Sequence, residues 1–122
     1  MVTMELHAGE CDGPAVVALR GELDVAEAAS VAAALAAVAA RDRAVIVDLA
    51  GLEFIDSSGV AALVLVRAQA RRAGGDLLVA APQDQVTRVL TLTRLIDVFS
   101  VHASVEQAAD SAGRRLAAVP VP

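Results

Sequence analysis

A chain of 122 residues is long enough for one domain with a core of its own, without disulfides. Its 15 acidic against 10 basic side chains leave a formal net charge of −5, which excludes the basic stripe that nucleic acid demands, and an aromatic share of 2% excludes a stacking platform for bases or sugars. Mean hydropathy is +0.60, yet the longest uncharged apolar stretch, residues 31–40, is about half of the ~20 residues a membrane-spanning helix needs.

The first residues lack the basic region, apolar core and cleavage site of a signal peptide, so the expected location is cytoplasmic, with no membrane insertion. The lone Cys11 fits a reducing compartment. Residues 2–7 and 15–20 read as two strands, and the turn Gly9-Glu10-Cys11-Asp12-Gly13-Pro14 between them predicts a hairpin. Residues 25–41 are rich in alanine, with no glycine or proline, and predict a helix. Residues 44–49 are short and β-branched, the pattern of a central strand in which Val45, Val47 and Leu49 face one way and Ile46 and Asp48 the other.

A short polar turn then leads into a second helix, residues 57–73, whose last turns carry Arg67, Arg71 and Arg72 and which Gly74-Gly75 terminates. Residues 76–80 predict another strand. Pro82 stands near the start of a third helix reaching residue 93, residues 98–101 predict the last strand, and Ser104 caps a final helix to residue 116. The expected organisation is a single domain over residues 1–118 with a frayed tail at 119–122. The fold class is α/β, in the order β-β-α-β-α-β-α-β-α: a central, mixed, mostly parallel sheet of about five strands with about four helices. Parallel crossovers bring the strand-to-helix connections to one edge, where open α/β sheets place their function. Residues 21–25, 50–58, 81–83 and the surroundings of His102 are therefore expected to be neighbours.

Chemistry concentrates at one of these junctions, Asp56-Ser57-Ser58-Gly59. A helix N-terminus offers unpaired N–H groups and a positive dipole end, so it accepts a hydroxyl cap and equally a phosphate. Ser57 and Ser58 can be read as caps of the second helix or as acceptors of a phosphoryl group. Asp56 fits an Asx turn or a dipole partner, and Asp24 an ordinary N-cap of the first helix. The run from Val60 to Val66 is apolar all round, so its outer side is covered by another helix or exposed for a partner. No phosphate-binding GxxxxGK[ST] loop, GxGxxG turn or GxSxG elbow is present, and His7 and His102 lack companions at ligand spacing. Neither a metal, a cofactor nor an enzymatic activity is expected.

The segment IVDLAGLEFIDSSGVAALV (residues 46–64), preceded by LRGELDVAEA (19–28) and followed by RRAGGDLLVAAP (71–82), resembles the STAS-domain anti-sigma factor antagonists of bacteria. The likeness spans nearly the whole chain and implies a STAS-like fold. It also implies a mechanism. The unphosphorylated antagonist binds an anti-sigma factor that is also a serine kinase and frees the sigma factor. Phosphorylation of the serine after the aspartate, here Ser57, ends the binding, and a metal-dependent serine phosphatase restores it. By the same resemblance Asp56, Ser58 and Gly59 shape the loop, and Asp24 is an acid on the partner-facing edge. Two departures stand out. Where many relatives have Ser-Gly before a leucine near the last strand, this chain has Leu92-Thr93-Arg94-Leu95, and the second helix opens Val60-Ala61-Ala62 where leucine and glycine are common. A different class of function on the same fold is a cytoplasmic STAS scaffold subunit of a membrane transport or lipid-handling complex. The Asp56-Ser57 pair favours the switch, because a scaffold needs no acceptor there.

Overall fold

Short β-branched runs alternating with alanine-rich stretches fold as five strands and four helices. The computed structural model describes residues 1–7, 13–42 and 44–117, with 114–117 described through their backbone. Its elements are β1 (Val2–His7), β2 (Ala15–Leu23), α1 (Val25–Ala39), β3 (Ala44–Ile55), α2 (Ser57–Arg72), β4 (Asp76–Ala80), α3 (Asp84–Leu92), β5 (Ser100–His102) and α4 (Val105–Ala117). Cys11, most of the turn at 9–14 and the tail at 119–122 lie outside the described residues.

Spatial strand order equals sequence order; β1 runs antiparallel to β2, and β2 to β5 are parallel. Crossovers of this kind are right-handed, so three that step the same way across the sheet put their helices on one face. The core reflects it. Leu35 of α1, Leu63 of α2 and Leu90 of α3 share one apolar layer with Val17, Val47 and Val79 of the sheet. On the opposite face Ala108 and Ala112 of α4 pack against Ile46 and Leu78. Val45, Val47 and Leu49 lie in the first layer and Ile46 in the second, the alternation the sequence predicts.

Helix ends follow local chemistry. After α2, the Gly75 amide donates to the Ala70 carbonyl at 2.8 Å and that of Gly74 to Arg71 at 3.1 Å, a Schellman motif with Gly74 at φ +88°. The Ser104 hydroxyl accepts the Gln107 amide at 3.1 Å and so caps α4 as expected.

The largest difference from the sequence reading concerns β2 and β3. Both strands continue past their expected ends, β2 to Leu23 and β3 to Ile55, so residues 50–55 are strand and not loop. Between Asp48 and Gly51, and again between Leu52 and Phe54, β3 carries one residue more than β2 opposite it. Each bulge flips the inside–outside phase: the first brings Leu52 to the core against the alternation set by Val45, Val47 and Leu49, and the second restores that phase, so Ile55 is buried again. The Asp48 carboxylate accepts the Ala50 amide at 3.0 Å inside the first bulge. Smaller shifts move the start of α3 to Asp84 and β5 to Ser100–His102, because Phe99 is buried as a core plug ahead of the strand.

Candidate functional site

The strands' C-terminal edge gathers the expected neighbours through hydrogen bonds. The Val25 amide donates to Asp56, the Gln83 side chain to the Ala50 carbonyl, and the Ala81 amide to the His102 carbonyl. Ala81 holds φ at +56°, a left-handed conformation that is uncommon for alanine.

At the centre lies Asp56, the N-cap of α2. Its Oδ1 accepts the Gly59 amide at 3.0 Å, and its Oδ2 accepts the Val25 amide, at the first position of α1, at 3.2 Å. One carboxylate therefore serves the N-termini of two helices, where its charge also faces both positive dipole ends. Its own amide donates to the Leu23 carbonyl at 3.2 Å, which ties the end of β3 to the end of β2. Asp24 caps α1 by accepting the Ala26 amide at 3.1 Å, as the sequence suggests.

With Asp56 as cap, the serines are released from that role. Ser57 is the first residue of α2 and its side chain is exposed; Ser58 is half-buried. Among the described residues the Ser57 hydroxyl has no hydrogen-bond partner, and the amides of Ser57 and Ser58 meet no acceptor there either. Gly59 is buried, and a Cβ there would come within 2.7 Å of Ile55 Cγ1 and 2.9 Å of Leu23 Cγ. Only glycine lets α2 start this close to the ends of β2 and β3.

The apolar half-turns of α2 resolve into both alternatives. Val60, Ala62, Leu63 and Val66 are buried, whereas Leu65 is 50% exposed. Other apolar side chains at or near the edge are also open, Val25 at 73% and Phe54 at 41%. Arg67 and Arg71 do more than meet the helix dipole: both reach the buried Asp76, at 3.8 and 3.5 Å.

Two glutamines complete the site: Gln83 lies in a segment expected beside residues 50–58, though nothing in the sequence marks its bond there, and Gln85 has no signature in the sequence. Gln85 accepts the Ile55 amide at 2.9 Å and donates to the Ile55 carbonyl at 3.1 Å, and Gln83 donates to Ala50 at 2.7 Å. These bonds join residues about thirty positions apart, and their only local hint is a glutamine at an N-cap, a position it seldom fills well. No group of three or more potential metal ligands occurs among the described residues, and no helix there is long and apolar enough to cross a membrane.

Comparisons with known proteins agree with this geometry. The STAS domain family matches residues 6–108. BtrV of Bordetella bronchiseptica, whose name is that of an anti-sigma factor antagonist, is 33% identical over 107 residues, covering 87% of this chain and 92% of its own. A crystal structure of an anti-sigma factor antagonist from Mycobacterium paratuberculosis superposes with a TM-score of 0.81 at 26% identity, covering 93% of this chain and 95% of the other. The anti-sigma factor antagonist SpoIIAA shares the fold in its unphosphorylated form, with a TM-score of 0.76, 22% identity and coverage of 97% and 100%. Its phosphorylated form, described for Bacillus, gives a TM-score of 0.68 at 21% identity with coverage of 89% and 98%. The chain belongs to the STAS-domain family of anti-sigma factor antagonists.

Proposed function

We propose that the chain is a binding module switched by phosphorylation of Ser57. Unmodified, it docks through Asp24, Asp56 and Ser58, with Gly59 holding the shape of the turn, on an anti-sigma factor that is also a serine kinase, and so frees a sigma factor. The kinase transfers the γ-phosphoryl group of ATP to Ser57. The bond from Oγ to phosphorus forms as the bond to the bridging oxygen of ATP breaks, the hydroxyl proton passes to a base on the kinase, and ADP leaves. A serine phosphatase reverses the modification. In this reading the chain is the substrate of both enzymes, catalyses nothing, and works in the cytoplasm without contacting DNA itself.

The observation that carries the reading is the division of labour at the start of α2: a carboxylate does the capping, and the adjacent hydroxyl is exposed and uncommitted. A capping serine would lose its helix contact on modification; this one has none to lose. The phosphate brings about −1.5 to −2 charges at pH 7. Free amides and the helix dipole can stabilise it, while Asp56 and Asp24 beside it add to a field that repels an acidic or desolvating partner. Binding is therefore switched at the surface, with little change of backbone. That SpoIIAA is known in both phosphorylated and unphosphorylated forms supports such a switch on this fold.

The test is incubation with anti-sigma factor kinases and ATP, followed by mass spectrometry of the peptide spanning residues 55–60. A single phosphate on Ser57 is expected, with none on the Ser57→Ala variant. A phosphate found on Ser58, or stoichiometric phosphorylation of Ser57→Ala, contradicts the assignment.

A further inference from the structure

Past the pairing of Asp48 with Ala80, the two central strands part, because β4 ends at Ala80 while β3 runs on to Ile55. Residues 50–55 keep β2 on one side and have no strand on the other, so the backbone groups on that side need partners from elsewhere. Two glutamines supply them. Gln83 stands at the N-cap of α3 but makes no cap bond; its amide goes to the Ala50 carbonyl instead. Gln85 takes both polar groups of Ile55, its Oε1 accepting the N–H and its Nε2 donating to the carbonyl, at 2.9 and 3.1 Å. A primary amide presents acceptor and donor side by side, as a peptide group in a neighbouring strand does, so Gln85 stands in for the missing strand residue.

On its other flank Ile55 pairs with Leu23, and the next amide, that of Asp56, is bonded to Leu23 as well. Ile55 is thus clamped from both sides, two residues before Ser57. We propose that Gln85 is a positioning residue for phosphorylation: it fixes the backbone that sets where Ser57 Oγ stands when the γ-phosphoryl group arrives. The inference rests on the reading of Ser57 as acceptor. Phosphoryl transfer depends chiefly on placement of the attacking oxygen in line with the leaving group, so a loosened acceptor slows the transfer step far more than it weakens docking. Asp24 is itself bonded only within its own helix start, and Asp56 keeps its bonds to Leu23, Val25 and Gly59 when Gln85 is replaced, so the docking residues are held by other contacts while the placement of the Ser57 oxygen is lost.

The experiment compares Gln85→Leu and Gln85→Glu with the unaltered full chain, using ATP and an anti-sigma factor kinase that phosphorylates the unaltered chain, below the melting temperature of each variant. Leucine removes both bonds; glutamate keeps the acceptor for the Ile55 amide and loses the donor. Gln85→Leu is expected to lower kcat on the order of tenfold while KM stays within about twofold, with Gln85→Glu in between. Amide hydrogen exchange at Ile55 should quicken in Gln85→Leu and remain slow in Gln85→Glu, a pattern that general destabilisation does not produce. If kcat of Gln85→Leu is unchanged, or the whole loss falls in KM, Gln85 is a structural staple only and the proposal is overturned while Ser57 stands. If the unaltered chain gains its phosphate elsewhere than Ser57, the reading of the acceptor falls and this inference falls with it.

Discussion

Asp56 holds together what a shorter argument would divide between two residues. Its two oxygens take amides from α1 and α2, and each bond satisfies a group that a helix start otherwise leaves to water. Replacing it with alanine removes an N-cap and a link between helices, for which a loss of about 1–2 kcal/mol is expected in urea denaturation. Against a total stability of about 5–15 kcal/mol the domain stays folded, so the variant also reports whether a frayed α2 start still presents Ser57. Asp56→Asn, which keeps one acceptor oxygen for the Gly59 amide but turns an NH2 toward that of Val25, should recover only the capping part of the loss. If Asp56→Ala melts like the unaltered protein, the bridging role assigned here is wrong. At this scale the sequence was legible where a residue acts on its own neighbours: Asp24 and Ser104 cap the helices they precede. It was silent on Gln85 and on the bond from Val25 to Asp56, which cross about thirty residues of chain.

Helix and strand boundaries show the same division. The limits of β1 follow from alternation of apolar and polar residues, those of β4 from a short apolar run bounded by Gly74-Gly75 and Pro82, and those of α2 from an apolar run closed by Gly74-Gly75. The end of β3 does not, since its two bulges shift the phase on which a reading of period two depends. The departure at Leu92-Thr93-Arg94-Leu95 has a structural meaning. After α3, the Leu95 amide donates to Leu90 at 2.9 Å and that of Arg94 to Thr91 at 3.1 Å, the bonding of a Schellman motif with Arg94 in the left-handed position at φ +61°. Glycine adopts this conformation without the steric penalty of a Cβ, which is about 1–2 kcal/mol, but gains up to about 1 kcal/mol of entropy in the unfolded chain. Arg94→Gly should therefore stabilise the protein by up to about 1 kcal/mol, seen as a higher urea midpoint with an unchanged slope. A lower midpoint would show that the arginine contributes something that its backbone conformation conceals.

Over the whole molecule, the edge that carries Ser57 is the acidic one. Glu22, Asp24, Glu53, Asp56 and Asp84 lie there, whereas at the other edge Arg41, Arg71, Arg72 and Arg94, in or just after the last helical turns, are interspersed with Asp42, Asp76 and Asp97. A partner that docks on the acidic edge needs a basic rim, and such a pair associates faster at low ionic strength. Charge reversal at Asp24 is then expected to weaken binding far more than reversal at Asp110, which is exposed on α4 across the sheet. Because Asp24 also caps α1, Asp24→Asn is the cleaner variant: it keeps the cap, removes the charge, and should slow association with little change in melting temperature. Equal effects at positions 24 and 110 would move the docking surface elsewhere.

The most direct test is the affinity of one anti-sigma factor kinase for this chain with and without phosphate on Ser57, measured by titration calorimetry beside a thermal melt of each form. The account predicts tight binding of the unmodified protein and of Ser57→Ala, and weak binding of the phosphorylated protein and of Ser57→Asp, with all four melting at nearly the same temperature. Equal affinity of the modified and unmodified forms, or weak binding that appears only because the modified form has unfolded, would contradict it.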